Sequence, residues 1–280
     1  MRFRDVLISL FLVGASSLLS AHDLFIKLND YFVAPHTAVQ IPILNGTIDS
    51  SANSISRDRV PDISLVTPDG REHLDTTAWL AEGDTTFLSL MTNDPGTYVV
   101  GASTYPRELD LTGAEFNEYL EHDGIPDVLE ERRQSGELEK AVRERYSKHV
   151  KAVFQVGDRV AKPKRSWQFW RPEPTYLTEF GYPAEIIPLM NPYSVSVGAE
   201  LRVKCLVDGL PAADQLVRAG GIGSDGAFDE RRVRTDGQGV AVLSIDAPGI
   251  WYFEFINMVS VQRDSVDYES KWATFTFQIR

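Results

Sequence analysis

Trp272-Ala-Thr-Phe-Thr-Phe-Gln-Ile279 decides the fold class. Ala273, Phe275, Phe277 and Ile279 alternate with Thr274, Thr276 and Gln278, the period-two pattern of a strand whose successive side chains point to opposite faces. Working back, Ile250-Trp-Tyr-Phe-Glu-Phe-Ile256 is a nearly continuous apolar run, as expected of a strand buried on both faces. Ala247-Pro248-Gly249 separates it from Val240-Ala-Val-Leu-Ser-Ile245, and Asp236-Gly237-Gln238-Gly239 separates that from Arg231-Arg-Val-Arg-Thr235. Gln215-Leu-Val-Arg-Ala219 and Leu201-Arg-Val-Lys-Cys-Leu-Val207 complete the set. The pattern predicts a β-sandwich over residues 184–280.

The same pattern opens the chain. Leu24-Phe-Ile-Lys27, Ala38-Val-Gln-Ile-Pro-Ile-Leu44, Ile63-Ser-Leu-Val66, Phe87-Leu-Ser-Leu90 and Tyr98-Val-Val100 read as strands. Turn signals at Asn45-Gly46, Pro68-Asp69-Gly70, Glu82-Gly83-Asp84 and Asn93-Asp94-Pro95-Gly96 lie between them. A helical insertion is expected at about 112–151, within an N-terminal β region of 22–183. Thr112 and Glu115 have the spacing of a capping box, and Phe116, Tyr119 and Leu120 follow it at helical spacing. Gly124-Ile125-Pro126 breaks this helix and Pro126 starts the next. Leu138 to Val150 continues in helical register, with Tyr146 and Val150 on the inner face and Glu144, Lys148 and Lys151 on the solvated one. Ala152-Val-Phe-Gln-Val156 returns to strand. Lys162 to Pro174 reads as an irregular connector whose Trp167 and Trp170 pack onto the core. The glycine-rich Gly220 to Gly226 reads as a flexible inter-strand loop. The fold class is therefore mainly β, with β-sandwich regions and a helical insertion.

The first residues set the compartment. Arg2 and Arg4 precede an apolar run from Val6 to Leu19, and Leu19-Ser20-Ala21 has the small residues of a signal-peptidase site. Export to the periplasm, cleavage of residues 1–21 after Ala21 and a mature chain beginning at His22 are expected, with no membrane span in that mature chain. A single cysteine, Cys205, excludes an intramolecular disulfide and falls at a buried strand position, an inert thiol. The net charge of −12 excludes nucleic acid as a partner and is compatible with cations.

No catalytic signature is present: the chain has no Gly-x-Ser-x-Gly, no His-Glu-x-x-His, no phosphate-binding loop and no dinucleotide fingerprint. Asp225, Asp229 and Glu230 lack the spacing of an EF-hand. The protein is read as a non-enzyme. A mature N-terminal His22 would offer an amino nitrogen and an imidazole nitrogen on one residue, a chelate for nickel, cobalt or copper as a divalent ion. His36, His73 and His122 read as surface residues.

Several segments, in order, resemble one family. They are Ala21-His22-Asp23-Leu24-Phe25; Glu115-Phe-Asn-Glu-Tyr-Leu120 with Asp123-Gly124; Arg143-Glu-Arg-Tyr-Ser-Lys148 with Lys151-Ala152 and Val156-Gly157; Glu185-Ile-Ile-Pro188 with Asn191-Pro192; Thr235-Asp236-x-x-Gly239; Pro248-Gly249-Ile-Trp251; and Tyr268-Glu-Ser-x-Trp272-Ala. Together they resemble an uncharacterised bacterial periplasmic family of domains of unknown function, some of whose members are assigned to nickel or cobalt uptake as substrate-binding accessories. The Thr-Asp-x-x-Gly and Pro-Gly-x-Trp elements also resemble an Ig-like or prealbumin-like sandwich, which implies fold alone. The resemblance implies a periplasmic binding protein for a transition-metal ion or metal complex, working beside a membrane uptake component. It ranks His149 as the metal-ligand partner of His22. Where many relatives carry a His-Met pair this chain has Asn257-Met258, which weakens any site at that position. The alternative is a non-catalytic structural or protein-interaction module of the cell envelope.

Overall fold

The computed structural model describes residues 23–157, 174–263 and 265–280. The expected signal peptide, His22 and most of the Lys162–Pro174 connector lie outside the described residues. In chain order the first strands are β1 (Asp23–Ile26), β2 (Phe32–Val33), β3 (Ala38–Gly46), β4 (Asp62–Thr67), β5 (Gly70–His73), β6 (Trp79–Glu82), β7 (Thr85–Met91), β8 (Gly96–Ser103) and β9 (Arg107–Leu111). Helices α1 (Gly113–His122) and α2 (Pro126–Ser135) follow, then the long strand β10 (Val142–Val156). The remainder is β11 (Ala184–Pro188), β12 (Ala199–Val207), β13 (Leu210–Pro211), β14 (Leu216–Gly223) and β15 (Gly226–Ala227). β16 (Arg231–Arg234), β17 (Val240–Ile245), β18 (Gly249–Arg263) and β19 (Val266–Ile279) complete it.

An 11-stranded sheet forms the middle layer, in the order β15-β14-β18-β19-β10-β8-β4-β5, with β16 on β14 and β2 and β9 on β10. The 4-stranded sheets β1-β3-β7-β6 and β11-β12-β13, the latter with β17 on β12, cover its faces. Alternation along β10 feeds both layers. Val153 packs with Phe253, Phe255, Phe275 and the inward side chains of β11, β12 and β17. Val150, Ala152 and Phe154 pack with Leu24, Ile26, Ile41 and Ile43 on the other side. A third cluster sets Phe116, Tyr119 and Leu120 of α1 against Ile256, Met258 and Trp272. The molecule is mainly β and sandwich-packed, as the sequence predicts.

The helical insertion is shorter than expected. The Thr112–Glu115 capping box forms, with Thr112 N–H donating to Glu115 Oε2 at 2.8 Å and Glu115 N–H to Thr112 Oγ1 at 3.3 Å. α2 begins at Pro126 and ends at Gly136, which takes the left-handed conformation (φ 72°) that favours glycine. The expected helix through 143–151 is instead the first part of β10, paired in parallel with β19 from Glu144↔Tyr268 to Ala152↔Thr276. Charge density is the reason for the misreading: Glu144, Lys148 and Lys151 are buried, with partners from distant segments, while Tyr146 is only half-buried. The expected flexible loop at 220–226 is corrected too. β14 runs through Gly223, and a side chain at Gly220 would meet the Tyr252 ring. The central sheet also joins strands from both sides of the 183/184 boundary, chiefly through β10 and β19.

Candidate functional site

Arg218 on β14 lies directly across from Glu254 on β18, and both point to the face that carries Trp272 and Lys148. Glu254 is fully buried. Its Oε1 accepts from Arg218 Nε at 3.1 Å and from Arg218 Nη2. Its Oε2 is buried with no hydrogen-bond partner. Asp23, at the start of β1, presents Oδ2 at 3.7 Å from Arg218 Nη2, while its Oδ1 is likewise buried without a partner. Arg218 Nη1 donates to the His122 carbonyl at 3.3 Å and lies 3.5 Å from Glu230 Oε2. Gly124 (φ +74°) lets this arginine pass, since a Cβ there would sit 2.9 Å from Arg218 Cδ.

The cluster continues toward the helices. Asp123, the C-cap residue of α1, is buried and its Oδ1 lies 2.6 Å from His122 Nδ1. Glu144 Oε1 accepts from Tyr119 Oη at 3.0 Å and from Ser270 Oγ. Lys148 Nζ sits 4.5 Å from the Trp272 ring centroid, a cation–π contact, and its charge is felt by Asp23 and Glu144.

Burial sets the electrostatics. It pushes the Asp23 carboxyl up to about 6 despite Arg218, and Glu144 up to about 6 despite bonds from Ser270 and Tyr119. Burial and the neighbouring Asp23 push Glu254 up to about 8. Asp123 is raised by burial, and Lys148 is lowered by it. For Arg218 burial acts downward, but Glu254 and Asp23 more than offset it, so the guanidinium stays charged. Asp23, Asp123, Glu144 and Glu254 outnumber Lys148 and Arg218, and buried carboxyls in such excess either hold protons or attract a cation.

Sequence reasoning placed none of these side chains in a site. The signal was available only indirectly: the segments around Asp23, Tyr119–Gly124, Glu144–Lys148 and Ser270–Trp272 carry the family resemblance, and they converge here.

Of the residues singled out from the sequence, His22 lies outside the described residues, and His149 and Asn257 lie away from this cluster. His149 is 2% exposed, with Nδ1 2.8 Å from Ser103 Oγ and Nε2 3.0 Å from Ser147 Oγ. Both nitrogens are engaged, and burial lowers the imidazole to about 4, so it stays neutral. Its odd position on β10 points it to the face of Val153 and Glu185, opposite the face of Lys148 and Asp23. Asn257 shares that opposite face, donating from Nδ2 to Gln215 Oε1 at 3.0 Å. His36, His73 and His122 are exposed and Cys205 is buried, its thiol pushed up by burial, as expected. Ser64, His73 and Asp62 meet at the surface, but both neighbours contact Nδ1, at 3.1 and 2.6 Å, so the imidazole cannot relay a proton between them. Among the described residues no three His, Cys, Asp or Glu side chains are placed to hold a metal, and no helix is long and apolar enough to cross a membrane. A groove of about 1230 Å³ at the far end is lined by Phe32, Tyr193, Gln155 and Gln278. Two of its polar groups are committed to the fold: Gln155 donates to the Gly96 carbonyl at 3.0 Å and Tyr193 to the Val153 carbonyl at 2.5 Å.

A mainly β chain with a buried carboxylate-rich cluster at its first described strand is the class of protein that the fold and site define. The chain belongs to the family described as Domain of unknown function (DUF4198), whose model matches residues 19–258. A search of the curated proteins gave no match. Among solved structures it is similar to trypsin-activated alpha-2-macroglobulin of Escherichia coli, at 11% identity and TM-score 0.25, over 92% of this chain and 15% of that one. A Salmonella alpha-2-macroglobulin mutant gives 12% identity and TM-score 0.24, over 91% and 15%. A tetra-tandem repeat from the extending region of a large adhesion protein gives 10% and 0.23, over 93% and 50%. The chain spans about 15% of the length of the macroglobulins it matches.

Proposed function

We propose that this chain is a periplasmic binding protein for a divalent transition-metal ion, nickel, cobalt or copper, or a complex of one, and that it serves a membrane uptake component. In this reading export and cleavage after Ala21 free the amino group of His22, which then chelates the metal together with its own imidazole. The observation that carries the reading is the placement of the adjoining residue. Asp23 is built into a buried cluster in which carboxyls outnumber cations, so a cation held by the mature N-terminus would enter a negative, water-poor environment. His149 is not needed as a ligand. The acidic chain as a whole, at −12, favours a cationic cargo in the same sense.

Calorimetric titration of Ni²⁺, Co²⁺ and Cu²⁺ into chain that begins at His22 tests this. The control is a chain with one extra residue before His22, which keeps every side chain and loses the terminal chelate. The mature chain should bind at least about tenfold more tightly than the extended one. Equal binding, or none in either, overturns the reading in favour of an interaction module of the envelope.

A further inference from the structure

Arg107 and Tyr146 stand opposite each other in the antiparallel pairing of β9 with β10, so their side chains share one face. Lys148, two residues further along β10, shares it too, with Nζ 5.7 Å from the Tyr146 ring centroid. Arg59 ends the single helical turn Arg57–Arg59 and reaches the same place. Its guanidinium lies beside the Tyr146 hydroxyl and feels the charges of Arg107 and Lys148. Backbone bonds fix this approach. Tyr105 N–H donates to the Arg59 carbonyl at 2.8 Å, and the adjoining Thr104 N–H donates to the Lys148 carbonyl at 2.9 Å. Lys148 N–H donates in turn to Thr104 Oγ1 at 2.9 Å. Lys148 has Asp23, Asp123 and Glu254 to balance it. The two arginines have no such balance. Among the described residues neither Arg59 nor Arg107 forms an ion pair, whereas Arg143 and Arg145, on the other face of the same ladder, pair with Asp110 and Glu108. Arg59 Nε is buried with no hydrogen-bond partner. Asp58, the acid that Arg107 influences, is exposed and accepts from Ser56 Oγ.

With 40 acidic residues against 28 basic ones, the chain does not lack acids to pair with these arginines. Two guanidinium groups held together beside a lysine repel one another, and the fold leaves that repulsion uncompensated. Burial, with the Arg107 charge adding to it, lowers the Arg59 guanidinium, which nonetheless stays protonated. We propose that Arg59, Arg107 and the Tyr146 hydroxyl form a binding site for a small, multiply charged oxyanion, the class to which phosphates and polycarboxylates belong. Two guanidinium forks and a phenol present directed N–H and O–H donors, the set that carboxylate and phosphate oxygens accept from best. Lys148 adds to the positive potential. Arg107 is exposed and Tyr146 half-buried, so a solute reaches the site from solvent. The site involves neither His22 nor the metal reading above, and each stands or falls without the other.

The test is calorimetric titration of inorganic phosphate, and separately of citrate, into metal-free chain at low ionic strength, where surface charge is least screened. The wild type should bind at least one of the two with a Kd below about 1 mM. Which one it prefers distinguishes a phosphate-bearing from a carboxylate-bearing ligand. Arg59→Gln and Arg107→Gln should each weaken that binding at least about tenfold, and Tyr146→Phe about fivefold. Arg202→Gln, at an exposed arginine of β12 that also lacks an ion pair among the described residues, should leave it unchanged. Thermal unfolding accompanies each titration. Because it relieves a repulsion, Arg107→Gln should keep or raise the midpoint of the ligand-free chain. No binding of either anion by the wild type overturns the site. So does binding that survives both arginine substitutions, or that Arg202→Gln weakens equally. Should Arg59→Gln not fold, Arg107→Gln, at an exposed residue, decides the matter alone.

Discussion

At the scale of single residues, His149 shows how burial rewrites a histidine. Packed against Tyr182 and bonded to Ser103 and Ser147, it keeps a neutral ring with a folded-state value near 4, against an ordinary value of 6.5. Burial dominates; Glu185 and Asp208 act upward and Lys271 downward. As pH falls through 6.5 the unfolded chain takes up a proton that the folded chain refuses until about 4. The contribution of this residue to stability is therefore intact above 6.5, declines between 6.5 and 4, and is level below that. The full decline is on the order of 3 kcal/mol. The carboxyls around Asp23 titrate over an overlapping range with the opposite sign, because their folded-state values are raised. The measurement is thus a difference: urea unfolding of wild type and His149→Gln from pH 7.5 to 4. The wild type should lose roughly 3 kcal/mol more than the variant over that span. Parallel curves would mean that the ring is solvated.

At the scale of elements, β10 is where sequence and structure part. Its second half, Ala152 to Val156, reads as a strand because Val153, Phe154 and Val156 are apolar and β-branched or aromatic. Its first half reads as a charged helix because Glu144, Lys148 and Lys151 look solvated. Their partners are far away in sequence: Lys151 pairs with Glu185 at 2.8 Å, where Phe180 and Tyr182 N–H also donate to the carboxylate at 2.9 and 2.8 Å. Local periodicity carries no trace of such contacts. The capping box and Pro126 start, by contrast, are local devices and were readable directly. The same distinction explains the site: a strand from Leu24, next to Asp23, was legible, but the convergence of Asp23 with Glu254 and Arg218 depends on sheet order. In a strand reading Tyr146 is half-buried and Phe154 is fully buried. Phe154→Ala should cost about 3–5 kcal/mol in urea unfolding, and Tyr146→Ala less than about 1 kcal/mol. A large loss at Tyr146 would restore the inward helical face.

At the scale of the whole molecule, the pairing of β10 with β19 ties the two ends of the chain into one sheet. Nine consecutive register pairs run from Glu144↔Tyr268 to Ala152↔Thr276, and β1 adds contacts to β19 from the other layer. Thr274 and Thr276 donate to the carbonyls of Leu24 and Ile26, the former at 2.7 Å. A chain cut at 183 keeps every residue of β1 to β10 but loses β19, β18 and β14 from the middle of its central sheet. β10 would then expose on one side the backbone groups that β19 satisfies, together with Val150, Ala152 and Val153, which are at most 1% exposed in the whole chain. An open apolar edge of that length is a template for aggregation rather than a surface. Residues 23–183 alone should therefore fail to give a cooperative unfolding transition, and the intact protein should unfold in a single one. Calorimetry and near-ultraviolet circular dichroism of both chains measure this. A fragment that melts cooperatively as a monomer would mean that the N-terminal region owes its stability to its own layers, with β19 an added strand rather than the centre of the fold.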